Sequence, residues 1–434
     1  MQTETDLKNE IYSSKAYRQS RSAYTAQCLF EYFISILCSD AFLAKLLKDI
    51  GLSDALTGLL SSFISFTFFF GLFAIPLAGK LKKVKKPIIT LDTLSQLFFT
   101  ALYAVPFLPS GTAAKGAVVT VLLVLAYFTL YLNTSICYKW GNSFVSPAKR
   151  GSFSATKEMI SLIAGVFFTL FMGFVTDKYE NAGNLHGAFI FIGITMIITC
   201  GCNFACLELI KEKPLSESGA KQSPRKIIEQ TFLNTRFRNA MILTAITETA
   251  RYFTIGFMGT FKTVDLGFSV SKIQIINVAA NLGRFAVSKP FGKYSDKNGF
   301  ANGYFAGNLL SAAAFFIGIF TSTKTSILVL PFTMLFNMSL AGTNQNTFNM
   351  AYSYVDDEYI LSAMTVNNSV RGICGFLSSL AGSKVLSFIQ GNGNRLFGRA
   401  VFGQQILSAG SLILSLAALI FNKCVVSKQT EDKK

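Results

Sequence analysis

Histidine and charge are scarce in this chain. One of its 434 residues is His and 15% are charged, whereas soluble domains carry roughly 25% charged residues. The single His186 leaves no His-based metal site or catalytic triad, and no G-x-x-x-x-G-K-[ST] loop is present to bind ATP phosphates. The eight Cys have no spacing typical of a zinc site or of a disulfide framework. We therefore expect no enzyme activity, no metal and no cofactor.

Apolar residues dominate the composition. Hydrophobic residues make up 51% of the chain, 43 residues are Phe, and the mean hydropathy is +0.44. They form runs of about 20 residues, the length that a helix needs to cross roughly 30 Å of hydrocarbon. The first 20 residues are polar, so we expect no cleavable signal peptide. We predict an all-α integral membrane protein with twelve transmembrane helices, at about 21–44, 55–79, 88–108, 117–138, 153–175, 187–207, 238–261, 271–290, 300–321, 325–352, 361–389 and 400–423.

The basic residues indicate an orientation. A net charge of +17 is typical of nucleic-acid-binding proteins, but here Lys and Arg concentrate in alternate segments between the predicted spans. Such segments face the cytoplasm in membrane proteins. We therefore expect a multi-pass protein of the cell membrane with both termini in the cytoplasm, surrounded by the lipid bilayer, monomeric, and without a nucleic-acid partner.

The longest polar segment, residues 208–237, divides the chain into two halves of six predicted spans. It contains several Lys and Arg residues and two Pro residues. This pattern predicts an N-terminal bundle at 1–207, a cytoplasmic linker at 208–237 and a C-terminal bundle at 238–434.

One short motif lies between the eighth and ninth predicted spans, where residues 292–299 read GKYSDKNG. Gly292 would allow close helix packing, and Asp296 would accept hydrogen bonds or pair with a basic residue. Lys297 marks the cytoplasmic side, and Gly299 permits a sharp turn. The pattern G-x-x-x-D-[RK]-x-G resembles the loop signature of the major facilitator superfamily of secondary transporters. The first-half counterpart, residues 79–87, keeps the basic end but lacks the Asp and the spaced Gly.

This resemblance implies two pseudo-symmetric six-helix bundles and transport by alternating access around a site at the membrane midplane. It also places the loop after span 2 against the start of span 11, and the loop after span 8 against the start of span 5. The basic cluster at 80–86 would then face Asp356, Asp357 and Glu358, and Asp296 would face Arg150. We hypothesise that these pairs hold the cytoplasmic side shut in one state, as a cytoplasmic gate.

Ionisable residues far from a span end are the candidates for substrate binding or coupling, because a charge at bilayer depth needs a partner or a wet cavity. Spans 1, 7 and 11 each carry such a charge. Amides and Tyr on the same or neighbouring spans would add hydrogen bonds, although each of these residues also has a structural interpretation as a helix-helix contact or an interface anchor. Asp92 lies near a span end and is interpreted as structural. The candidates are Glu31, Gln27, Glu248, Arg251, Asn344, Gln345, Asn367, Arg371, Tyr127 and Tyr131.

These residues and the resemblance together favour a secondary active transporter of a small polar organic solute. Amide-rich hydrogen bonding fits a sugar or glycoside, whereas Arg371 or Arg251 would bind the carboxylate of a small organic acid. Glu31 and Glu248 would carry protons, so we expect proton coupling. The alternatives are an exporter of lipophilic drugs, because Phe would also line a greasy cavity, and a membrane sensor that binds a solute without moving it.

Overall fold

The fold is that of a helical membrane protein, and its structure is a computed structural model. Residues 14–78, 83–146, 150–212, 224–356, 359–396 and 399–431 are described. Within these ranges the regular secondary structure is helical apart from a hairpin of two-residue antiparallel strands, β1 (Arg395–Leu396) and β2 (Arg399–Ala400). The prediction of an all-α protein is confirmed.

The helices are numbered here in chain order. They are α1 (Lys15–Leu37), α2 (Asp40–Asp49), α3 (Asp54–Ser61), α4 (Phe63–Thr67), α5 (Gly71–Ala78), α6 (Lys85–Ala101), α7 (Thr112–Asn142), α8 (Arg150–Asn181), α9 (Leu185–Leu209), α10 (Pro224–Ile228), α11 (Thr235–Thr254), α12 (Met258–Thr260), α13 (Val270–Asn298), α14 (Phe300–Ile319), α15 (Val329–Tyr354), α16 (Ile360–Gly391), α17 (Gly403–Phe421) and α18 (Lys428–Glu431). Short 3-10 segments occupy Phe68–Phe70, Leu102–Phe107, Ile255–Phe257 and Ser326–Leu328, and π-helical segments occupy Glu229–Leu233, Phe261–Asp265 and Asn422–Val426.

Nine helical stretches of the described ranges are long and apolar enough to cross a membrane. The predicted spans 21–44, 238–261 and 271–290 also fall largely on helices (α1, α11 and α13), but these are more polar. Their polarity has a specific source, because they carry Glu31, Glu248 with Arg251, and Arg284. The prediction of twelve spans is consistent with this arrangement. The stretches are Asp54–Ala74, Lys85–Phe107, Thr112–Asn142, Thr156–Asn181, Leu185–Leu209, Phe300–Ile319, Ser326–Tyr354, Ser362–Gly391 and Gly403–Val426.

The chain forms two compact units. Unit 1 takes its described residues from Met1–Ile50 and Phe73–Lys221, and unit 2 takes its described residues from Gly51–Leu72 and Gln222–Lys434. The predicted division into bundles at 1–207 and 238–434 with a linker between them stays a prediction.

The core of unit 1 includes a cluster where α1, α6, α7 and α9 meet. Trp140, Phe144 and Ile88 are fully buried in it. Gly141 lets the Tyr24 ring lie directly on α7, because a Cβ at this position would be 2.4 Å from the ring. Burial of these large side chains fixes the face that α1 presents to the other helices of the unit, at about 1.5–3 kcal/mol for each buried apolar side chain.

In unit 2 the backbones of α14 and α15 come unusually close. A Cβ on Gly307 would lie 2.9 Å from the backbone N of Thr343, and a Cβ on Gly342 would lie 2.8 Å from the Cα of Gly307. Small residues that allow such an approach are typical of helix pairs in membranes. The polar side chains of α15 are therefore held at a fixed position relative to α14.

Candidate functional site

The strongest concentration of charge within the membrane helices lies in unit 2. It consists of Glu248 and Arg251 on α11 together with Asn368 and Arg371 on α16, and we refer to these four residues as the Glu248 centre. An Arg371 Nη donates to one carboxylate oxygen of Glu248 at 3.2 Å, and an Arg251 Nη donates to the other at 3.4 Å. Arg371 also donates to the side-chain oxygen of Asn368 at 3.3 Å.

Side-chain-to-backbone bonds fix α16 against α11, so that Arg371 arrives opposite Glu248. The hydroxyl of Ser378 donates to the Thr249 carbonyl at 2.7 Å, and that of Ser379 donates to the Tyr252 carbonyl at 3.1 Å. One turn on the other side of Glu248, the Thr244 hydroxyl donates to the Asn367 side chain at 2.9 Å. These bonds lie on both sides of the charged residues along the helices, so they fix the register of α16 against α11 at the site.

The charges of the Glu248 centre do not balance. One carboxylate is shared by two guanidinium groups, so the three side chains carry a net positive charge. The Glu248 side chain is 4% exposed, Arg371 14% and Arg251 26%. The Nε atoms of both arginines are buried without a hydrogen-bond partner in the described part of the chain. A buried donor without an acceptor is costly, so the centre is suited to receive an additional anionic or strongly accepting group.

A small cavity opens beside these charges. Its other walls are hydroxyl, amide and aromatic groups from α11, α14 and α15, including Thr247, Tyr304, Ser339, Thr343 and Asn344. The cavity has a volume of about 10 Å³, room for roughly one water molecule, so an organic solute would enter only in a state of the protein with a wider site. Hydroxyl and amide groups donate and accept hydrogen bonds without charge, which suits the polar body of such a solute.

Unit 1 carries a separate acid on α1. The Gln27 amide donates to a Glu31 carboxylate oxygen at 2.9 Å, and Gln27 is completely buried while Glu31 is half-buried. Lys157 of α8 lies nearby, with its Nζ 3.4 Å from the Tyr24 hydroxyl and 4.6 Å from the centre of the Tyr24 ring. The face that the sequence predicts for Gln27 and Glu31 therefore holds a carboxylate, an amide and a lysine in one region of unit 1.

Of the remaining predicted substrate-binding residues, some lie at the cavity and others lie elsewhere. Asn344 lies at the cavity of the Glu248 centre, but Asn367 is buried and is engaged by Thr244. Gln345 packs instead against Gly292 on α13, where its Nε2 would be 3.2 Å from an added Cβ. Tyr127 and Tyr131 stack on each other in unit 1, with their ring centres 6.4 Å apart.

The motif at 292–299 is more helical than a short turn. Helix α13 continues through Asn298, and the chain turns at Gly299, which has a φ of +92°. A side chain would be strained at this φ, so the chain needs a glycine at the turn, the role predicted for Gly299. Asp296 and Lys297 are exposed on the last turn of α13.

Only part of the predicted cytoplasmic gate lies in the described ranges. Asp356 accepts a hydrogen bond from Gln230 of the π-helical segment at 2.6 Å. Lys85, in the basic cluster at 80–86, instead contacts the end of α9, where its Nζ lies 3.1 Å from a Glu208 carboxylate oxygen. The parts of the gate outside the described residues are the side chain of Arg150, Asp357, Glu358, Lys80 and Lys82.

A buried acid in unit 1 is the main feature that sequence reasoning missed. Asp92 on α6 is 1% exposed and accepts hydrogen bonds from the side-chain amides of Gln96, Asn133 and Asn203. The sequence holds one local signal for it, because Gln96 follows Asp92 by one helical turn. The contacts to α7 and α9 join residues that are far apart in the chain.

Comparison with known proteins gives one family and a consistent fold. The sequence matches the Major Facilitator Superfamily over residues 24–379, and no curated protein sequence matches it. The structure is similar to that of a mutant of the nucleoside transporter NupG, with a TM-score of 0.74, 12% identity, and coverage of 93% of this chain and 99% of that one.

Two other solved structures share the fold. A bacterial homologue of the human lysosomal transporter Spinster gives a TM-score of 0.69 at 14% identity, with 96% of this chain and 98% of that one covered. A D-xylose–proton symporter gives 0.66 at 13% identity, with 93% and 96% covered. At these identities the likenesses establish the fold, and the substrate has to be argued from the residues of this chain.

Proposed function

The chain belongs to the major facilitator superfamily, and we propose that this secondary transporter moves a small polar organic solute that carries an anionic group, such as a small organic acid. The family and the transporter fold make it a membrane transport protein rather than an enzyme. The observation that carries the anionic substrate is the unbalanced charge of the Glu248 centre, where two guanidinium groups share one carboxylate.

The physical reason is the cost of leaving a charge without a partner inside a membrane protein. Glu248 and Arg371 neutralise each other, so Arg251 is the surplus charge. Its side chain is the more exposed of the two arginines and lines the cavity. A substrate carboxylate would supply the missing negative charge and accept hydrogen bonds from the guanidinium, and such charge-assisted bonds are about twice as strong as neutral ones.

Coupling to protons is the second part of the proposal. Glu31 is a half-buried carboxyl in unit 1 whose hydrogen-bond partner in the described part of the chain is the neutral Gln27. A carboxyl held by an amide exchanges a proton without breaking an ion pair, so Glu31 is suited to carry one proton per cycle. Symport with protons also offsets the charge of an anionic solute. The proposed location is the cell membrane, with both termini in the cytoplasm and the protein acting as a monomer.

A neutral solute is the second candidate. The hydroxyl and amide groups of Thr247, Ser339 and Asn344 around the cavity favour hydrogen bonding to a sugar or glycoside. In this case Arg251 would serve only to neutralise part of the Glu248 charge, and its removal would affect the fold more than the choice of substrate.

Uptake into proteoliposomes with an imposed pH gradient separates these candidates. We expect the wild type to accumulate a labelled small organic acid, and Arg251→Gln to lose this uptake while its melting temperature stays near that of the wild type. Arg395→Gln, which alters an exposed arginine in strand β1 of the hairpin, is the matched control and should transport normally.

Two results would count against the proposal. Acid uptake that is unchanged in Arg251→Gln would show that the surplus charge does not bind the substrate. Accumulation of sugars but of no acid by the wild type would favour the neutral solute, and binding of a solute without any flux would favour a sensor.

A further inference from the structure

The Asp92 cluster is a second set of buried polar residues in unit 1, and it consists of Asp92, Gln96, Asn133 and Asn203. Gln96 donates to one carboxylate oxygen of Asp92 at 2.8 Å, Asn133 donates to the other at 3.2 Å, and Asn203 donates to the first. The four residues come from α6, α7 and α9, and each is at most 3% exposed. The cluster is therefore closed off inside the helix packing.

The charge of Asp92 has no counter-charge in this packing. Among the described residues no Lys, Arg or His side chain forms an ion pair with it. The titratable groups that face it are Glu31 from α1, Cys137 from α7 and Cys200 from α9, and none of them is a cation. A lone carboxylate buried in helix packing is expensive, because neutral amides lower its energy without cancelling its charge.

The amides of the cluster can also serve a neutral acid. The side-chain oxygens of Gln96, Asn133 and Asn203 are all buried, and within the described ranges none has a hydrogen-bond donor. A half-turn of one amide would present its oxygen to a protonated Asp92, which then donates one bond instead of accepting it. The same side chains therefore match both the ionised form, through three N–H donors, and the protonated form, through an oxygen acceptor.

We propose that Asp92 is a second proton-binding group, distinct from Glu31, whose carboxylate takes up a proton from the aqueous phase, holds it as a carboxylic acid and releases it in another stage of the transport cycle. The proposal rests on proton-coupled transport as the function. Glu31 lies near enough to interact electrostatically with Asp92. Two like charges in one unit repel, so a proton bound at one acid makes it easier for the other acid to ionise.

Infrared difference spectroscopy of the purified protein tests proton binding directly. We expect the difference between acidic and alkaline samples to contain the carbonyl stretch of a buried carboxylic acid. This band should disappear in Asp92→Asn and persist in Glu31→Gln and in Asp356→Asn, an exposed control. If Asp92→Asn does not fold, Asp92→Glu keeps the acid and should shift the band. A spectrum that neither substitution at Asp92 changes would overturn the proposal.

The melting temperature gives a second readout. A protonated Asp92 resembles Asn in shape and hydrogen bonding, so Asp92→Asn should melt close to the wild type at acidic pH. If Asp92 were permanently ionised and purely structural, Asp92→Asn would remove a charged acceptor that faces three N–H donors. The variant would then have a much lower melting temperature at every pH, and this result would refute proton binding. Stabilisation by NaCl over KCl that is lost in Asp92→Asn would also refute it, because the site would then hold a metal cation.

The consequences for transport can be separated from the proposed function. In proteoliposomes we expect Asp92→Asn to exchange labelled for unlabelled solute but to lose accumulation driven by a pH gradient. If the wild type moves no organic acid but the infrared band behaves as expected, the substrate assignment fails and the proton site stands. If Asp92→Asn accumulates solute as well as the wild type, Asp92 has no part in the cycle.

Discussion

An Arg371 Nη of α16 donates to a Glu248 carboxylate oxygen of α11 at 3.2 Å, and the Glu248 side chain is 4% exposed. Glu248→Gln removes the only negative charge of the Glu248 centre and leaves Arg251 and Arg371 with no carboxylate. Breaking a buried ion pair by removing one partner costs about 3–5 kcal/mol. We expect a large fall in the melting temperature in detergent.

The control for this substitution is Glu229→Gln, which neutralises an exposed glutamate of the same unit. Its free energy of unfolding should lie within about 0.5 kcal/mol of that of the wild type, as is usual for surface substitutions. A Glu248→Gln protein that is as stable as this control would mean that water or another group already compensates the two arginines.

Arg251→Gln should differ from Arg371→Gln in stability. Removing Arg251 leaves the neutral pair of Glu248 and Arg371, whereas removing Arg371 leaves Glu248 with a longer bond to Arg251 and leaves Asn368 without its donor. We therefore expect Arg371→Gln to be the less stable variant, and thermal unfolding of both proteins in one detergent measures the difference. Equal melting temperatures would show that the two arginines are interchangeable partners of Glu248.

The two candidate asparagines should respond in opposite ways. Asn367 is buried and accepts the Thr244 hydroxyl, so Asn367→Ala should lower stability by about 0.5–1.5 kcal/mol through the loss of this hydrogen bond. The Thr244 hydroxyl keeps the Met241 carbonyl, 3.0 Å away, as an acceptor. Asn344 is exposed beside the cavity, so Asn344→Ala should fold normally and reduce the transport rate. Thermal unfolding and uptake measured on the same preparations distinguish these cases, and a stable Asn367→Ala without transport would assign Asn367 to the substrate instead.

The sequence predicted the ionisable residues of the site better than their partners. Glu248, Arg251 and Arg371 stand out because charges are rare in apolar spans. That Asn367 bonds to Thr244, and that Asp92 bonds to Asn203, depends on the register of helices far apart in the chain. Single-sequence periodicity holds no information on such contacts, and for this reason Asp92 looked like a structural residue at a span end.

The polarity of some helices also limited how well their membrane spans could be predicted from the sequence. The polar α1, α11 and α13 are the least apolar of the helices that carry the predicted spans, because they hold candidate functional side chains as well as lipid-facing ones. Hydropathy alone underestimates such helices, although their apolar runs were long enough to be predicted as spans. The motif at 292–299 was predicted as a loop, but α13 extends through it, since Lys293, Tyr294 and Asp296 are all compatible with a helix.

A close contact within unit 2 depends on the absence of a side chain at Gly256. A Cβ there would lie 1.6 Å from the Ser62 hydroxyl oxygen and 2.7 Å from the backbone oxygen of Gly58. Ser62 could rotate away, but the Gly58 backbone cannot move without shifting α3. We expect Gly256→Val to lose stability by about 1–3 kcal/mol or more, since overpacking forces such shifts.

Gly201 on α9 provides the comparison, because an added Cβ there meets no atom within 4 Å. Gly201→Val should melt near the wild type, and thermal unfolding in detergent measures both variants. If Gly256→Val were equally stable, the approach of Gly58 to Gly256 would not be required for the fold.

The predicted pairing of Asp296 with Arg150 leads to a charge-swap experiment. Asp296 is exposed on the last turn of α13, so its contribution to stability is small, about 0–1 kcal/mol for an exposed pair. A pair of this size can still bias the two states of a transport cycle, because populations shift by a factor of ten for about 1.4 kcal/mol.

We expect Asp296→Arg and Arg150→Asp each to reduce uptake into proteoliposomes without lowering the melting temperature. The double variant restores the attraction with reversed signs and should recover uptake. Recovery would require a direct interaction between the two positions, since two independent defects would add. If the double variant transports no better than the weaker single variant, the two residues do not form the gate, and Asp296 has to act on another group.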